Sequence, residues 1–240
     1  MDGPECWGIA GKPISHSPTP QMFSIVGEYM GLESNQIYIE SSDIGDFLTQ
    51  VSEIKGDIWI SCTSPLKHSA PSALGIKSPE GVFALNQLMR SGGIWSGVNT
   101  DGLGFVSACR HVGVDPAKAI LRIRGGGSAA RSIAAAWSSE GGSIIPEIGR
   151  RPLLKGPWDG SVLDTGQADV AVDLDASPAG GESVDLDGEV QFSLSYAENA
   201  SKDEFAIIML AAQHLQAWQE LYSPSKVDEL PNLEEFLSML

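Results

Sequence analysis

A run of small residues set between a strand and a helix constrains this chain more than any other feature. Ala119 to Ile123 reads as a strand, Gly125-Gly126-Gly127-Ser128-Ala129-Ala130-Arg131 follows, and Ser132 to Ser138 continues at helical spacing. Gly125, Gly127 and Ala130 satisfy G-x-G-x-x-G/A, in the strand–turn–helix setting that gives the pattern its meaning. The first glycine makes the turn, the second lets a pyrophosphate approach, and the small third residue lets the helix pack close to the sheet, its N-terminus toward the anion. A region built this way is a parallel α/β sheet of Rossmann type. Gly125, Gly126, Gly127, Ser128 and Ala129 are its expected cofactor-binding loop.

The strand after it, Ser143 to Ile148, ends at Gly149-Arg150-Arg151. An acidic residue at such a point bonds the ribose 2′-hydroxyl of NAD, whereas arginines suit the 2′-phosphate of NADP. Arg150 and Arg151 therefore favour NADP over NAD. Glu147 is a ribose ligand instead if the strand ends sooner. Two features disturb the pattern: Arg122 and Arg124 lie in a strand that should be buried on both faces, and Pro146 lies inside the next strand. Pro152 to Gln167 carries prolines and glycines where a second crossover helix belongs, so the dinucleotide fold is expected to be shortened. Strands at Ala168 to Leu174 and Val190 to Ser195 complete it, with Tyr196 at the end.

Ahead of this region, Trp7 to Ala10 reads as a first strand, leading to Ile14-Ser15-His16-Ser17-Pro18-Thr19-Pro20. Prolines keep that loop extended, so Ser15, Ser17 and Thr19 project to one side. The row suits a small anionic group; alternatively it is a loop capping the helix that follows, marked by Met22, Phe23, Val26, Tyr29 and Met30. Gln36 to Glu40 reads as a strand, Ile44 to Ile54 as a helix and Asp57 to Ser61 as a third strand. Pro65 stops that strand, and Lys67 lies just beyond its end, where either a functional group or a solvated surface charge belongs.

Gly97 to Gly104 reads G-V-N-T-D-G-L-G, a turn with one carboxylate, Asp101, ahead of a helical run from Phe105 to Val112. Alone it is an Asx-type turn; beside the neighbouring motifs, Asp101 is a candidate site carboxylate where one domain hands over to the next. Phe205 to Leu221 is the best amphipathic helix, and Leu233 to Leu240 closes the chain.

Composition narrows the function. A net charge of −16 argues against a nucleic-acid surface, which needs clustered Lys and Arg. No apolar run approaches the ~20 residues that span a bilayer, and no basic-then-apolar leader is visible. Three cysteines without a C-x-x-C suggest neither a disulfide framework nor a zinc site, and fit a reducing, cytoplasmic setting. None of the four histidines is spaced with carboxylates as a metal site. His16 and His214 are expected to be structural or pocket-lining, and no metal is expected.

Taken in order, these stretches resemble the shikimate dehydrogenase family. Its G-N-P-I-x-H-S-x-S-P matches Gly11 to Pro20, N-V-T-x-P-x-K matches Ser61 to Lys67, and G-A-V-N-T matches the segment around Ala84-Leu85-Asn86-Gln87. G-x-N-T-D-G-x-G is intact at Gly97 to Gly104; G-A-G-G-A-A-R matches Gly125 to Arg131 and N-R-T matches Gly149-Arg150-Arg151. D-x-x-Y and M-L-x-x-Q match Ser193 to Tyr196 and Met209 to Gln213. Departures include Thr19 for a Ser, Gln87 for a Thr and Ser61 for an Asn, the last leaving a gap that a water fills.

The resemblance implies an N-terminal α/β substrate-binding domain, 1–101 plus 206–240, and an NADP-binding Rossmann-like domain, 102–205, with the active site in the cleft between them. It implies NADPH-dependent reduction of 3-dehydroshikimate to shikimate by a monomer or homodimer. Carried over by position, Ser17 and Thr19 hold the substrate carboxylate, and Thr63, Asn86, Asp101 and Gln213 bond the ring hydroxyls. Tyr196 closes the pocket, and Lys67 and Asp101 are the catalytic pair. A quinate or dual quinate/shikimate dehydrogenase differs by one ring hydroxyl. A catalytically silent shikimate-binding regulator would keep the hydroxyls while its nucleotide domain decays.

Overall fold

The computed structural model of the protein describes residues 3–176, 182–195, 201 and 204–240. The chain divides into two units, Met1–Pro79, Phe83–Thr100 and His214–Leu240 in the first, Glu80–Val82 and Asp101–Gln213 in the second.

The first unit starts β1 (Cys6–Gly11), α1 (Thr19–Tyr29), β2 (Asn35–Glu40), α2 (Ile44–Glu53), β3 (Ile58–Cys62) and α3 (Leu66–Ala73), then adds the hairpin β4 (Gln87–Ser91) and β5 (Ile94–Val98). Its five strands lie in the order β2-β1-β3-β4-β5. The first three are mutually parallel, and β4 runs antiparallel to β3 and β5. Strand periodicity in the sequence does not mark β4. Its signal was Gly92-Gly93, both at positive φ (55° and 82°), which turns the hairpin.

In the second unit come α4 (Asp101–His111), β6 (Ile120–Arg124), α5 (Ser128–Ser139), β7 (Ser143–Glu147), β8 (Val170–Asp173) and β9 (Val190–Phe192). The order is β7-β6-β8-β9, parallel throughout, a Rossmann-type sheet. Between β7 and β8 a single 3₁₀ turn at Asp159–Ser161 stands where a full crossover helix is usual. The last strand stops at Phe192, short of the Ser195 expected. The chain ends with α6 (Phe205–Ala217), a π-helical turn at Trp218–Tyr222, and α7 (Leu233–Met239).

Strand alternation explains how the first sheet is buried on both faces. On one side Trp7 and Trp59 meet Phe23, Trp218 and Tyr222, with Trp59 and Tyr222 stacked at 4.6 Å between ring centroids. On the other, Ala10, Ile58, Ile60 and Cys62 pack with Phe47, Val51, Leu66 and Leu88. The π-turn interrupts the helix that the sequence carries on to Leu221. Tyr222 is thereby buried in this core, its hydroxyl 3.1 Å from Gln87 Oε1.

Partners resolve the two anomalies in the second sheet. Arg122 bonds Glu147 on neighbouring β7 and the carbonyls of Asp187 (2.7 Å) and Gly166 (3.0 Å). Arg124 bonds Asp173 on β8 at 3.0 Å. A guanidinium in a sheet is tolerable when such groups replace its water. Pro146 sits on β7, an edge strand, where a missing N–H costs no ladder bond.

One expectation is corrected. Gly97 to Gly104 is not a turn ahead of a helix at Phe105: β5 runs to Val98 and α4 begins at Asp101 itself. Gly102 and Gly104 are helical, and neither has positive φ. They are small because neighbours press on them. A Cβ on Gly102 would run into the Ser132 carbonyl of α5, and one on Gly104 into Gln213 of α6. Sequence shows that a glycine is present, not which need it meets.

Candidate active site

Topology gathers the first unit's candidates along one edge of its sheet. β1 and β3 are parallel neighbours, so the loops leaving their carboxyl ends share an edge, the usual place for ligands in such sheets. The first loop carries Ser17 and leads to Thr19, the first residue of α1; the second carries Thr63 and leads to Lys67 in the first turn of α3. The two are laced together by Thr63 N–H to Ala10 O (2.8 Å) and Lys12 N–H to Ser64 O (3.0 Å). Because β4 is antiparallel, its beginning lies at this edge, and Asn86 O accepts Cys62 N–H at 2.7 Å. β5 ends there too, delivering Thr100.

Within that edge the hydroxyls form a chain. Ser17 Oγ donates to Thr19 Oγ1 at 3.1 Å, and Thr19 Oγ1 lies 3.1 Å from His214 Nε2. Thr19 and His214 are buried, and Ser17 is partly exposed. Burial, and secondarily the nearby Lys67 ammonium, push the His214 pKa down to about 3. The Lys67 charge also acts on Cys62, although burial dominates and drives that thiol up to about 12. Lys67 thus shares its surroundings with the hydroxyl pair. His214, expected to be structural or pocket-lining, is thus part of this hydroxyl chain; its place directly after Gln213 is the sequence signal for it.

Asn86 is buried and pins the end of β5. Its Oδ1 accepts Thr100 N–H at 2.7 Å and its Nδ2 donates to Thr100 Oγ1 at 3.1 Å, which fixes the backbone entering Asp101. The gap expected at Ser61 is filled by protein: Gln87, its register partner, donates to Ser61 Oγ at 3.3 Å. The two departures from the family pattern compensate, a shorter polar side chain meeting a longer one.

Asp101 and Gln213 belong to the second unit, both buried, Asp101 as the first residue of α4. Tyr196 lies outside the described residues. Among the described residues no group of three or more His, Cys, Asp or Glu side chains could hold a metal ion.

The nucleotide loop fits a phosphate-bearing cofactor. Gly125 has φ +103°, a left-handed conformation that favours glycine. Gly127 caps α5 without a side-chain bond, and a Cβ there would meet nothing within 4 Å. The first amides of α5 are thus presented in a roomy setting. Arg131, in the first turn, has its pKa lowered by burial and then by the charge of Arg151, so two guanidiniums share this neighbourhood. Arg150 is turned elsewhere: its side chain donates to Asp175 O at 2.7 Å, and its backbone N–H bonds the Asp175 carboxylate. Ser128 and Ala129 open α5, both partly exposed.

No family model matches the sequence. Among curated proteins, the chain is 35% identical over 147 residues to the shikimate dehydrogenase (NADP(+)) of Syntrophomonas wolfei, across 59% of this chain and 49% of that one. The chain spans about half the length of the curated relatives it matches. Among solved structures, shikimate 5-dehydrogenase from Thermus thermophilus, in complex with NADP(H) and shikimate, matches with a TM-score of 0.74 over 98% of this chain and 97% of that one, at 22% identity. Ligand-free 5-ketofructose reductase of Gluconobacter matches at TM-score 0.66 and 17% identity, over 100% of this chain and 98% of that one. The chain therefore has the two-part α/β fold of these solved structures, with a Rossmann-type sheet in its second unit. Its resemblance to shikimate dehydrogenases holds in sequence as well as in fold.

Proposed function

We propose that this chain is a shikimate dehydrogenase that reversibly reduces 3-dehydroshikimate to shikimate with NADPH. One observation carries the reading. The Ser17–Thr19 hydroxyl pair and the Lys67 ammonium share one sheet edge, a pairing suited to a substrate with a carboxylate at one end and a reducible carbonyl at the other.

The dinucleotide, when bound, supplies or removes the hydride. Everything else falls to the chain. Charge that develops on the carbonyl oxygen must be stabilised and protonated, and the Lys67 ammonium can do both. Asp101 is the carboxylate of the proposed catalytic pair, and the reaction requires it to act with Lys67 at the carbonyl. Ser17 and Thr19 take the carboxylate, Thr63, Asn86, Asp101 and Gln213 the ring hydroxyls, and Tyr196 closes the pocket. Residues 1–101 with 206–240 serve the substrate and 102–205 the cofactor. The amides opening α5, with Arg131 and Arg151, suit its phosphates.

The protein works as a monomer or homodimer in the cytoplasm, with no nucleic-acid or membrane partner. Cys6, Cys62 and Cys109 are free thiols, in keeping with a reducing compartment, and among the described residues no helix is long and apolar enough to cross a membrane. The test is absorbance at the nicotinamide band with shikimate or quinate against NADP or NAD, in all four combinations. Turnover of shikimate with NADP above the other three supports the proposal. Faster turnover of quinate would give the quinate enzyme instead. No turnover in any, with shikimate still bound, would leave a regulator.

A further inference from the structure

The direction of one hydrogen bond, between Thr19 and His214, determines what the hydroxyl pair can offer a ligand. A hydroxyl has one proton to give and two lone pairs to receive with. Ser17 spends its proton on Thr19 (3.1 Å) and receives Thr19 N–H at 3.4 Å. Were His214 Nε2 a bare acceptor, Thr19 would spend its own proton on the imidazole. Both hydroxyl protons would then point inward, and an anion would meet lone pairs alone. With the hydrogen on Nε2, Thr19 accepts from His214 and Ser17 together, and its proton remains for a bound carboxylate.

The other ring nitrogen separates these cases. Nδ1 of His214 is buried and, among the described residues, has no hydrogen-bond partner. A bare lone pair is tolerated in such a place better than an N–H, whose desolvation would go unrepaid. An imidazolium would bury that N–H together with a charge, beside Lys67. Phe23, 5.2 Å away between ring centroids, packs against the imidazole. Thr rather than Ser at 19 adds a methyl that restricts χ1 and so where the hydroxyl sits.

We infer that His214 is a positioning residue which donates from Nε2 to Thr19 Oγ1 and so commits the Thr19 hydroxyl proton to an incoming carboxylate. The inference rests on the reading that Ser17 and Thr19 hold the substrate's carboxylate.

Long-range ¹H–¹⁵N NMR of the histidine rings tests the bond in the unliganded parent protein. Nε2 of His214 should be protonated and Nδ1 bare, without change from about pH 5 to pH 8. Titration with shikimate and steady-state kinetics then test its use. His214→Phe keeps a ring against Phe23 without a donor, and should raise the shikimate Kd and KM about tenfold while kcat moves less than about threefold. His214→Gln restores an N–H and should recover most of the loss. In a Thr19→Val background, His214→Phe should add nothing further. A protonated Nδ1, parent-like binding by His214→Phe, or an undiminished loss in the Thr19→Val background would each overturn the inference. A parent protein that does not bind shikimate at all would remove the carboxylate reading instead. The NMR result would then decide the donor direction by itself, Nε2–H upholding it and Nδ1–H overturning it.

Discussion

Glu147 ends β7 with its carboxylate bonded to the guanidinium of Arg122, one strand inward on β6. That pairing gives the acidic side chain that stands as the alternative ribose ligand a partner within the sheet. Arg150, in turn, is occupied by Asp175, which leaves Arg151, exposed and close enough to Arg131 to depress its pKa.

Cofactor choice should therefore follow Arg151. Arg151→Ala is expected to lower the preference for NADP over NAD, measured as the ratio of kcat/KM values, by about tenfold or more, the worth of a charge-assisted hydrogen bond to phosphate. Glu147→Gln should leave that ratio within about twofold, because its partner is Arg122. A ratio that moved with Glu147 and not with Arg151 would reverse the assignment.

Lys67→Ala should reduce kcat for shikimate oxidation by roughly 10²–10⁴, the usual contribution of a positioned acid–base group. Binding of shikimate, followed by titration, should change far less, since the hydroxyl pair remains. Equal turnover in variant and parent would remove Lys67 from the chemistry.

Gly102→Ala pits a local gain against a packing loss. Alanine improves helix propensity by about 1 kcal/mol, yet its Cβ would run into the Ser132 carbonyl, and overpacking typically costs about 1–3 kcal/mol. Backbone cannot yield as a side-chain tip can, so net destabilisation is expected, seen as a lower urea midpoint at unchanged m-value. A more stable variant would show that α4 and α5 can separate at this contact.

Stability should fall on mild acidification because of His214. Its pKa is pushed down to about 3 from an ordinary 6.5, first by burial and then by Lys67. Between those values the unfolded chain binds the proton and the native protein does not. The contribution is thus fully present above about pH 6.5 and lost as pH falls toward 3, by up to about 1.4 kcal/mol per pH unit. Burial works to raise the Asp173 pKa, but backbone N–H groups of Val184 and Asp175 and the Arg124 guanidinium hold it below its ordinary value, so its contribution is lost only at the acid end of this range and below. Urea midpoints from pH 7 to about pH 4.5 should fall more steeply for the parent than for His214→Phe. Parallel slopes would mean that the imidazole titrates normally.

Much of the framework was legible because it rests on local rules. The 3.6-residue spacing after Pro20 placed α1, short β-branched or apolar runs placed β1, β3, β6 and β8, and the prolines and glycines after Arg151 announced the missing crossover helix. β4 was not legible. Its residues, Gln87-Leu88-Met89-Arg90-Ser91, lack the alternation and β-branching that mark a strand, and they pair because β3 and β5 lie on either side.

The sequence by itself determined the kinds of groups available and their order: hydroxyls after the first strand, an ammonium after the third, a carboxylate at the start of α4 and a glycine loop before α5. Local chemistry suffices for that, since turns, caps and strand periodicity depend on residues within a few positions of one another. Tertiary structure alone decided which partner each group has. Hydrogen bonds and desolvation act through space, and Thr19 meets His214 across 195 positions of chain. Only the fold pairs Glu147 with Arg122, turns Arg150 toward Asp175, and completes Ser61 with Gln87.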